Sequence, residues 1–298
     1  MNDGTPRNFA ARLKLAQTAS GGLLCVGLDP DLEKFPKDIL SGAPEPGAPQ
    51  PGATQSVNAA VLAFNKRIID ATCDIAAAYK PQAAFYAAIA AEEALTQSIR
   101  YIRERAPQAL VIFDGKRNDI GNTAEAYARE SFDRYAADAA TVNPYMGEDS
   151  VRPFLNRADR GTVLLCRTSN PGGKNFQDLL VDGTPLYMQV ARRAARDWNA
   201  EGNLMLVVGA TYPGEMAALR KEHPQLTFLV PGIGAQGGDL EAILAAGLNA
   251  DHAGLLISAS RSINYAGGGS APAIRAAALD LHSDINRHRS AAAASRVA

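Results

Sequence analysis

The feature that most constrains this chain is a repeat of pattern rather than of residues. Eight short apolar runs, Leu23–Leu28, Ile75–Tyr79, Leu110–Phe113, Ala139–Val142, Thr162–Cys166, Leu204–Val208, Thr227–Val230 and Gly254–Ser258, are spread along the sequence. Between them lie longer alanine-rich segments of helical period, such as Thr123–Ala136 and Thr184–Asn199. A strand with one wet face alternates apolar and polar residues. A parallel strand covered on both faces is continuously apolar, as these are. The alternation therefore predicts a parallel sheet clothed in helices. An open doubly wound sheet shares it, but eight is the number that closes a barrel, and polar residues follow nearly every run. The expected class is α/β, a single (β/α)8 (TIM) barrel. The length of 298 residues suits one such barrel, whose usual size is about 250 residues.

Two segments fall outside the repeat. Ser41–Gln55, rich in proline, glycine and alanine, reads as a loop after the first strand. The Ala/Ser-rich tail after His288, about 289–298, reads as frayed. Neither is a linker, so residues 1–298 are expected to form one domain. Arg7, Arg12 and Lys14 among Phe9, Leu13 and Leu15 read as a short amphipathic helix with no signal-peptide core. Tyr187 and Trp198, on helical segments, read as packing residues.

The net charge of −1, without blocks of like charge, argues against nucleic acid or a membrane surface as partner. No stretch approaches the roughly 20 apolar residues of a membrane span. Three cysteines, Cys25, Cys73 and Cys166, are too few and odd in number for a disulfide framework and fit a reducing cytoplasm. Cys25 and Cys166 lie in strand-like runs and read as small buried hydrophobes. His223, His252, His282 and His288 lack metal-ligand spacing, so no metal site is expected.

In a barrel of this kind the chemistry sits where the strands end. The polar residues there are Asp29, Lys80, Asp114 with Lys116, Asn143, Thr168 with Ser169, Thr211, the segment Pro231-Gly232-Ile233-Gly234-Ala235-Gln236, and Ser260-Arg261-Ser262. The strongest local signal is Phe113-Asp114-Gly115-Lys116-Arg117-Asn118-Asp119-Ile120 with Thr123. Asp114 and Lys116 are two apart on extended chain and should point the same way, toward the barrel axis. A lysine between carboxylates is favoured in its charged form, which suits a proton donor or an electrostatic clamp better than a Schiff-base nucleophile. A solvated charged turn is the plainer reading of the same residues. The second signal is an anion site. Gly232, Gly234, Gly237 and Gly238 free the backbone, the helix starting near Asp239 offers unpaired N–H groups, and Arg261 can take phosphate oxygens bidentately. The run Gly267-Gly268-Gly269 reads as a turn.

Asp114-x-Lys116-x-x-Asp119-Ile120-x-x-Thr123 resembles the signature of the orotidine 5′-phosphate decarboxylases. Lys116-Arg117 and Asn143-Pro144-Tyr145-Met146-Gly147 resemble its longer bacterial (type 2) subgroup. The resemblance runs from Gly27-Leu28-Asp29-Pro30 to Arg261-Ser262-Ile263. It implies decarboxylation of orotidine 5′-monophosphate to uridine 5′-monophosphate in pyrimidine biosynthesis, without cofactor or metal, by a homodimer with shared active sites. Lys116 would protonate C6 of the pyrimidine, and Asp114 would lie against the substrate carboxylate. Asp119 and Thr123 would reach the neighbouring subunit's site. Asp29, Lys80 and Thr123 would contact the ribose, and Ser169 the pyrimidine. Gln236 and Arg261 would hold the phosphate under a loop shaped by Pro231, Gly232 and Gly234. The chain departs from the family pattern at Ser260, where glycine is frequent, and in the additional 41–55 segment. Competing readings are a Mg²⁺-dependent sugar-phosphate decarboxylase or hexulose-phosphate synthase, which share the Asp-x-Lys-x-x-Asp motif, a Schiff-base aldolase, and a non-catalytic phosphate-binding barrel.

Overall fold

The computed structural model describes residues 8–40, 53–233 and 239–297. Eight strands, β1 (Leu24–Leu28), β2 (Ala78–Pro81), β3 (Leu110–Arg117), β4 (Ala139–Val142), β5 (Gly161–Arg167), β6 (Leu204–Val208), β7 (Thr227–Pro231) and β8 (Leu255–Ala259), close into a barrel. Every neighbouring pair is parallel, and β8 pairs with β1. Parallel neighbours need a long crossover, and a helix of the outer layer supplies each one.

Continuous burial of the strands reflects two separate cores. Outward-facing Leu24, Val26, Leu28, Tyr79 and Val111 pack under the helices against Phe64, Ile68 and Leu95. Inward-facing Cys25, Ile112, Ala139, Val163, Met205, Leu229 and Leu256 fill the barrel together with Phe9, Leu13 and Ala16 of the helix Phe9–Ala19. The expected amphipathic helix thus plugs the end of the barrel where the strands begin. Phe9 can lie there because Gly161 has no side chain; a Cβ on Gly161 would sit 2.3 Å from Phe9 Cζ. Buried Asp138 ties the plug down. Its carboxylate pairs with Arg12 of the helix and with Arg103 at 2.7 Å, and accepts the Val111 N–H at 2.7 Å. Tyr187 and Trp198 are buried, as packing residues should be. Cys25 and Cys166 are buried free thiols, and burial pushes both up to about 12, so neither is a reactive thiolate. Among the described residues no helix is long and apolar enough to cross a membrane.

Four expectations are corrected. The second strand begins at Ala78 rather than Ile75, because the N–H groups of Ile75 and Ala76 still bond to Thr72 O in the turn that ends the preceding helix. The segment Thr184–Asn199 is not helical from its start. Thr184–Pro185 pairs with Leu180–Val181 in a small antiparallel hairpin, and the helix begins at Leu186. Of the expected 41–55 loop, residues 41–52 lie outside the described residues, and 53–55 are already the first turn of the helix Ala53–Thr72. The tail after His288 is not frayed. The last helix runs Ala271–Val297, and Arg289 holds it to the barrel by donating to His252 O at 2.9 Å. Alanine favours helix more than any other residue, so its abundance there points to helix as readily as to disorder.

Candidate active site

Asp114 is the centre of the mouth. It is buried at the end of β3, and three side chains converge on its carboxylate. Lys80, from the end of β2, donates to Oδ2 at 2.7 Å. Lys116 donates to Oδ1 at 2.6 Å, and Thr141 of β4 donates to the same oxygen at 2.8 Å. Burial alone would raise the Asp114 pKa, but the ammonium groups of Lys80 and Lys116 outweigh it and hold the carboxyl far below the usual carboxylate range. Burial likewise works against the Lys80 ammonium, and Asp114 with Asp29 overcomes it, so Lys80 is held well above its ordinary value. The two lysines differ in reach. The Lys80 side chain is 9% exposed and committed to Asp114, whereas that of Lys116 is 44% exposed and open to a ligand.

Asp114 and Lys116 do meet, though not by the simple alternation of a strand. The β3–β4 register shifts between Phe113 and Arg117, and Lys116 has a left-handed φ of +46°. This is a bulge with a strained non-glycine residue at its centre, a device that re-aims a side chain beside a site. Thr141 holds it, since its hydroxyl oxygen accepts the Lys116 N–H at 2.9 Å while its proton goes to Asp114. Next in line, Arg117 turns away to form a two-pronged pair with Glu130 at 2.8 Å and 2.8 Å. Thr141 was missed from sequence; it sits mid-run in Ala139–Val142, where nothing local marks it.

Asp29, Lys80, Pro231, Gly232 and Arg261 line one cavity of about 140 Å³ together with Ser260. Among the described residues, Asp29 Oδ1 and Ser260 Oγ are buried with no hydrogen-bond partner. Orphaned buried oxygens facing a cavity fit a ligand that brings the missing partners. The Asp29 backbone is fixed by Tyr265, whose hydroxyl donates to Asp29 O at 3.0 Å and accepts the Asp31 N–H at 2.8 Å. Gly234 and Gln236 lie outside the described residues. The helix N-terminus expected to offer N–H groups is partly closed, because Asp239 caps it by accepting the Ala242 N–H at 3.1 Å. That carboxylate opposes an anion there, so Arg261 and the Pro231–Ile233 turn carry the anion reading.

Ser169 lines a second cavity at the mouth with Asn170, Pro171, Lys174, Thr211 and Tyr212. It lies directly over Gly209, where a Cβ would come within 2.8 Å of the Ser169 backbone nitrogen. Among the described residues, neither Asp119 nor Thr123 forms a hydrogen bond or ion pair with Lys116, which pairs with Asp114. The Asp119 carboxylate accepts the Ile120 N–H at 2.8 Å, and Thr123 is exposed on the helix Gly121–Arg129. Beside them Ile120, Tyr145 and Met146 are exposed apolar side chains. A further cavity of about 470 Å³ lies at the opposite end of the barrel, between the Phe9–Ala19 helix and Arg289, and contains none of these groups.

Comparison with known proteins agrees with the geometry. A family model described as orotidine 5′-phosphate decarboxylase / HUMPS family matches residues 22–277. A protein named orotidine 5′-phosphate decarboxylase from Cellvibrio japonicus is 52% identical, covering 94% of this chain and 98% of the relative. One of the same name from Janthinobacterium sp. (strain Marseille) is 49% identical over 94% of this chain and 98% of its own. The solved structure of Leishmania donovani OMP decarboxylase superposes with a TM-score of 0.78 at 40% identity, covering 95% of this chain and 98% of that one. Residues 22–277 include all eight strands, the bulge and the mouth. This chain is a member of the orotidine 5′-phosphate decarboxylase / HUMPS family.

Proposed function

We propose that this chain converts orotidine 5′-monophosphate to uridine 5′-monophosphate and CO₂ in pyrimidine biosynthesis. The observation that carries the reading is a buried carboxylate, Asp114, held between two ammonium groups, one of which is open to the mouth. Breaking the bond from C6 to the carboxylate leaves an electron pair on C6 with no conjugated sink. A preorganised positive charge must stabilise it, and Lys116 supplies that charge and then a proton from Nζ. Asp114 holds the Lys116 ammonium in place and repels the substrate carboxylate, which favours its departure. Asp29 and Lys80 contact the ribose, and the orphaned Asp29 Oδ1 fits a hydroxyl donor. Arg261 takes the phosphate beside Pro231 and Gly232, and the family resemblance assigns Gly234 and Gln236 to the same task. Ser169 contacts the pyrimidine. Phosphate binding remote from C6 contributes energy that is realised in the transition state. No step in this scheme calls for a cofactor or a metal.

The site is completed by a second copy. Asp119 and Thr123 form no hydrogen bond or ion pair with Lys116 of their own chain, and the exposed apolar trio Ile120, Tyr145 and Met146 beside them fits a subunit contact. Two inactive variants, Lys116→Ala and Asp119→Ala, are expected to recover about a quarter of wild-type activity when their subunits are exchanged, because half the dimers then hold one intact site. Sedimentation as a monomer, or no recovery, contradicts the shared site. We read the chain as one domain working in a reducing cytoplasm; its free thiols support the latter.

The family description also covers HUMPS, so a metal-dependent sugar-phosphate activity is the reading to separate. Orotidine 5′-monophosphate mixed with the protein in EDTA should lose its orotate absorbance band. Turnover only of sugar phosphates, and only with Mg²⁺, would contradict the proposal.

A further inference from the structure

Outside the Lys80–Asp114–Lys116 cluster, a buried charge with carboxylate partners from two elements belongs to Arg167, the last residue of β5. Its side chain is 1% exposed, which is unusual for a guanidinium unless every donor has a partner. The partners come from two directions. Glu215, at the start of the helix Pro213–Glu222, takes two donors, Nε and, at 3.1 Å, Nη2. From the segment that follows β5, Gln177 Oε1 accepts Nη1 at 3.2 Å and Asp178 pairs with the same nitrogen at 2.9 Å. The ring of Tyr212, which lines the Ser169 cavity, lies 4.5 Å from the guanidinium.

Gln177 passes this anchorage on to the loop. The same Oε1 accepts the Thr168 N–H at 2.9 Å, and Gln177 Nε2 donates to Thr168 Oγ1 at 2.8 Å. Thr168 Oγ1 donates in turn to Asn170 Oδ1 at 2.6 Å. The two neighbours of Ser169 in sequence are therefore both tied to Gln177, and through it to Arg167. Beneath, Gly209 N–H donates to Arg167 O at 2.8 Å and leaves no room for Ser169 to sink.

We propose that Arg167 is a positioning residue that acts on the pyrimidine ring through Ser169, by clamping the Thr168–Asp178 segment to Glu215 and Tyr212. The inference rests on the reading of Ser169 as a pyrimidine contact. A side chain that only stabilised the barrel would affect every ligand equally. A clamp on the base-binding loop affects ligands that carry a base.

The test compares the wild-type dimer with Arg167→Met and with Gln177→Leu. The second variant leaves the buried Arg167–Glu215 pair intact and serves if the first fails to fold. Dissociation constants are measured for uridine 5′-monophosphate and for ribose 5-phosphate. The expected result is a loss of about tenfold or more for the nucleotide, with ribose 5-phosphate unchanged within about twofold. In kcat/KM for orotidine 5′-monophosphate, Gln177→Leu should cost less than about twofold once Ser169→Ala is present, because the group it positions is gone. Equal losses for both ligands, or fully additive losses with Ser169→Ala, overturn the clamp while leaving the proposed activity standing. A folded wild type that binds no uridine 5′-monophosphate overturns the reading of the site, and the clamp with it.

Discussion

Thr141 shows how much of the site depends on one hydroxyl. It satisfies the N–H of a strained lysine and gives its own proton to the carboxylate that this lysine grips. Thr141→Val keeps the shape and removes both bonds. It should lower kcat by about tenfold or more and stability by about 1–3 kcal/mol, since the Lys116 N–H is left without a partner. Enzyme kinetics and chemical denaturation on the same preparation check both numbers; unchanged kcat contradicts the role given to the bulge. Gly209→Ala should act from the other side of the mouth by pushing into the Ser169 backbone, raising KM for the nucleotide while leaving the barrel folded, as steady-state kinetics and melting curves would show. Neither residue is legible in the sequence. Asp114 and Lys116 stand out because two opposite charges end an apolar run. Thr141 looks like any β-branched strand residue until β4 is laid beside β3. Arg167 looks like the polar end of a strand, and its partners Gln177 and Glu215 lie 10 and 48 residues further on.

Among the elements, the first helix has the least obvious task. It is not part of the βα repeat, yet Phe9, Leu13 and Ala16 complete the core inside the barrel. Phe9→Ala should cost about 3–5 kcal/mol, the range for emptying a buried aromatic site, with little change in KM because the site is at the other end. Urea unfolding measures the first and a substrate titration the second; a loss confined to activity would place the helix's role elsewhere. The strands were readable because burial on both faces writes a continuous apolar run, and their C-terminal ends therefore located the mouth. The boundaries shifted where local hydrogen bonds overrode the pattern, as at Ile75, where a helix-ending turn delays the strand. The tail after His288 reads as a loose end because its composition is alanine- and serine-rich, whereas the helix Ala271–Val297 continues through it and Arg289 donates to His252 O.

For the whole molecule, two groups of charges set the dependence of stability on pH. Burial holds His223 and His282 below the ordinary imidazole value of 6.5. Below that pH the unfolded chain binds protons that the folded chain refuses, so stability should fall as pH drops through about 6.5. Asp114 acts in the same direction at lower pH; its lowered value contributes stability above the ordinary 3.8, which is lost only as pH falls further. Melting temperatures from pH 8 to 4 should therefore decline first in the histidine range, and a flat profile there would contradict buried neutral imidazoles. A site shared with a second copy, as proposed above, leaves no mark in the apolar pattern of one chain. Asp119 and Thr123 are recognisable only by resemblance; in the fold Asp119 accepts the Ile120 N–H and Thr123 is exposed on its helix.

The central claim is that Lys116, steadied by Asp114, stabilises and protonates C6. Asp114→Ala is a poor test, because it strands the buried Lys80 ammonium and should cost about 3–5 kcal/mol of stability. Lys116 is partly exposed, so its removal can be read as chemistry. The decisive measurement is the rate of orotate absorbance loss for Lys116→Ala against wild type, with uridine 5′-monophosphate affinity determined on the same folded preparations. The account predicts a loss of kcat of at least about a thousandfold, equivalent to about 4 kcal/mol of transition-state stabilisation, with nucleotide affinity within about tenfold of wild type. A folded Lys116→Ala protein that turns substrate over at near wild-type rate would contradict it.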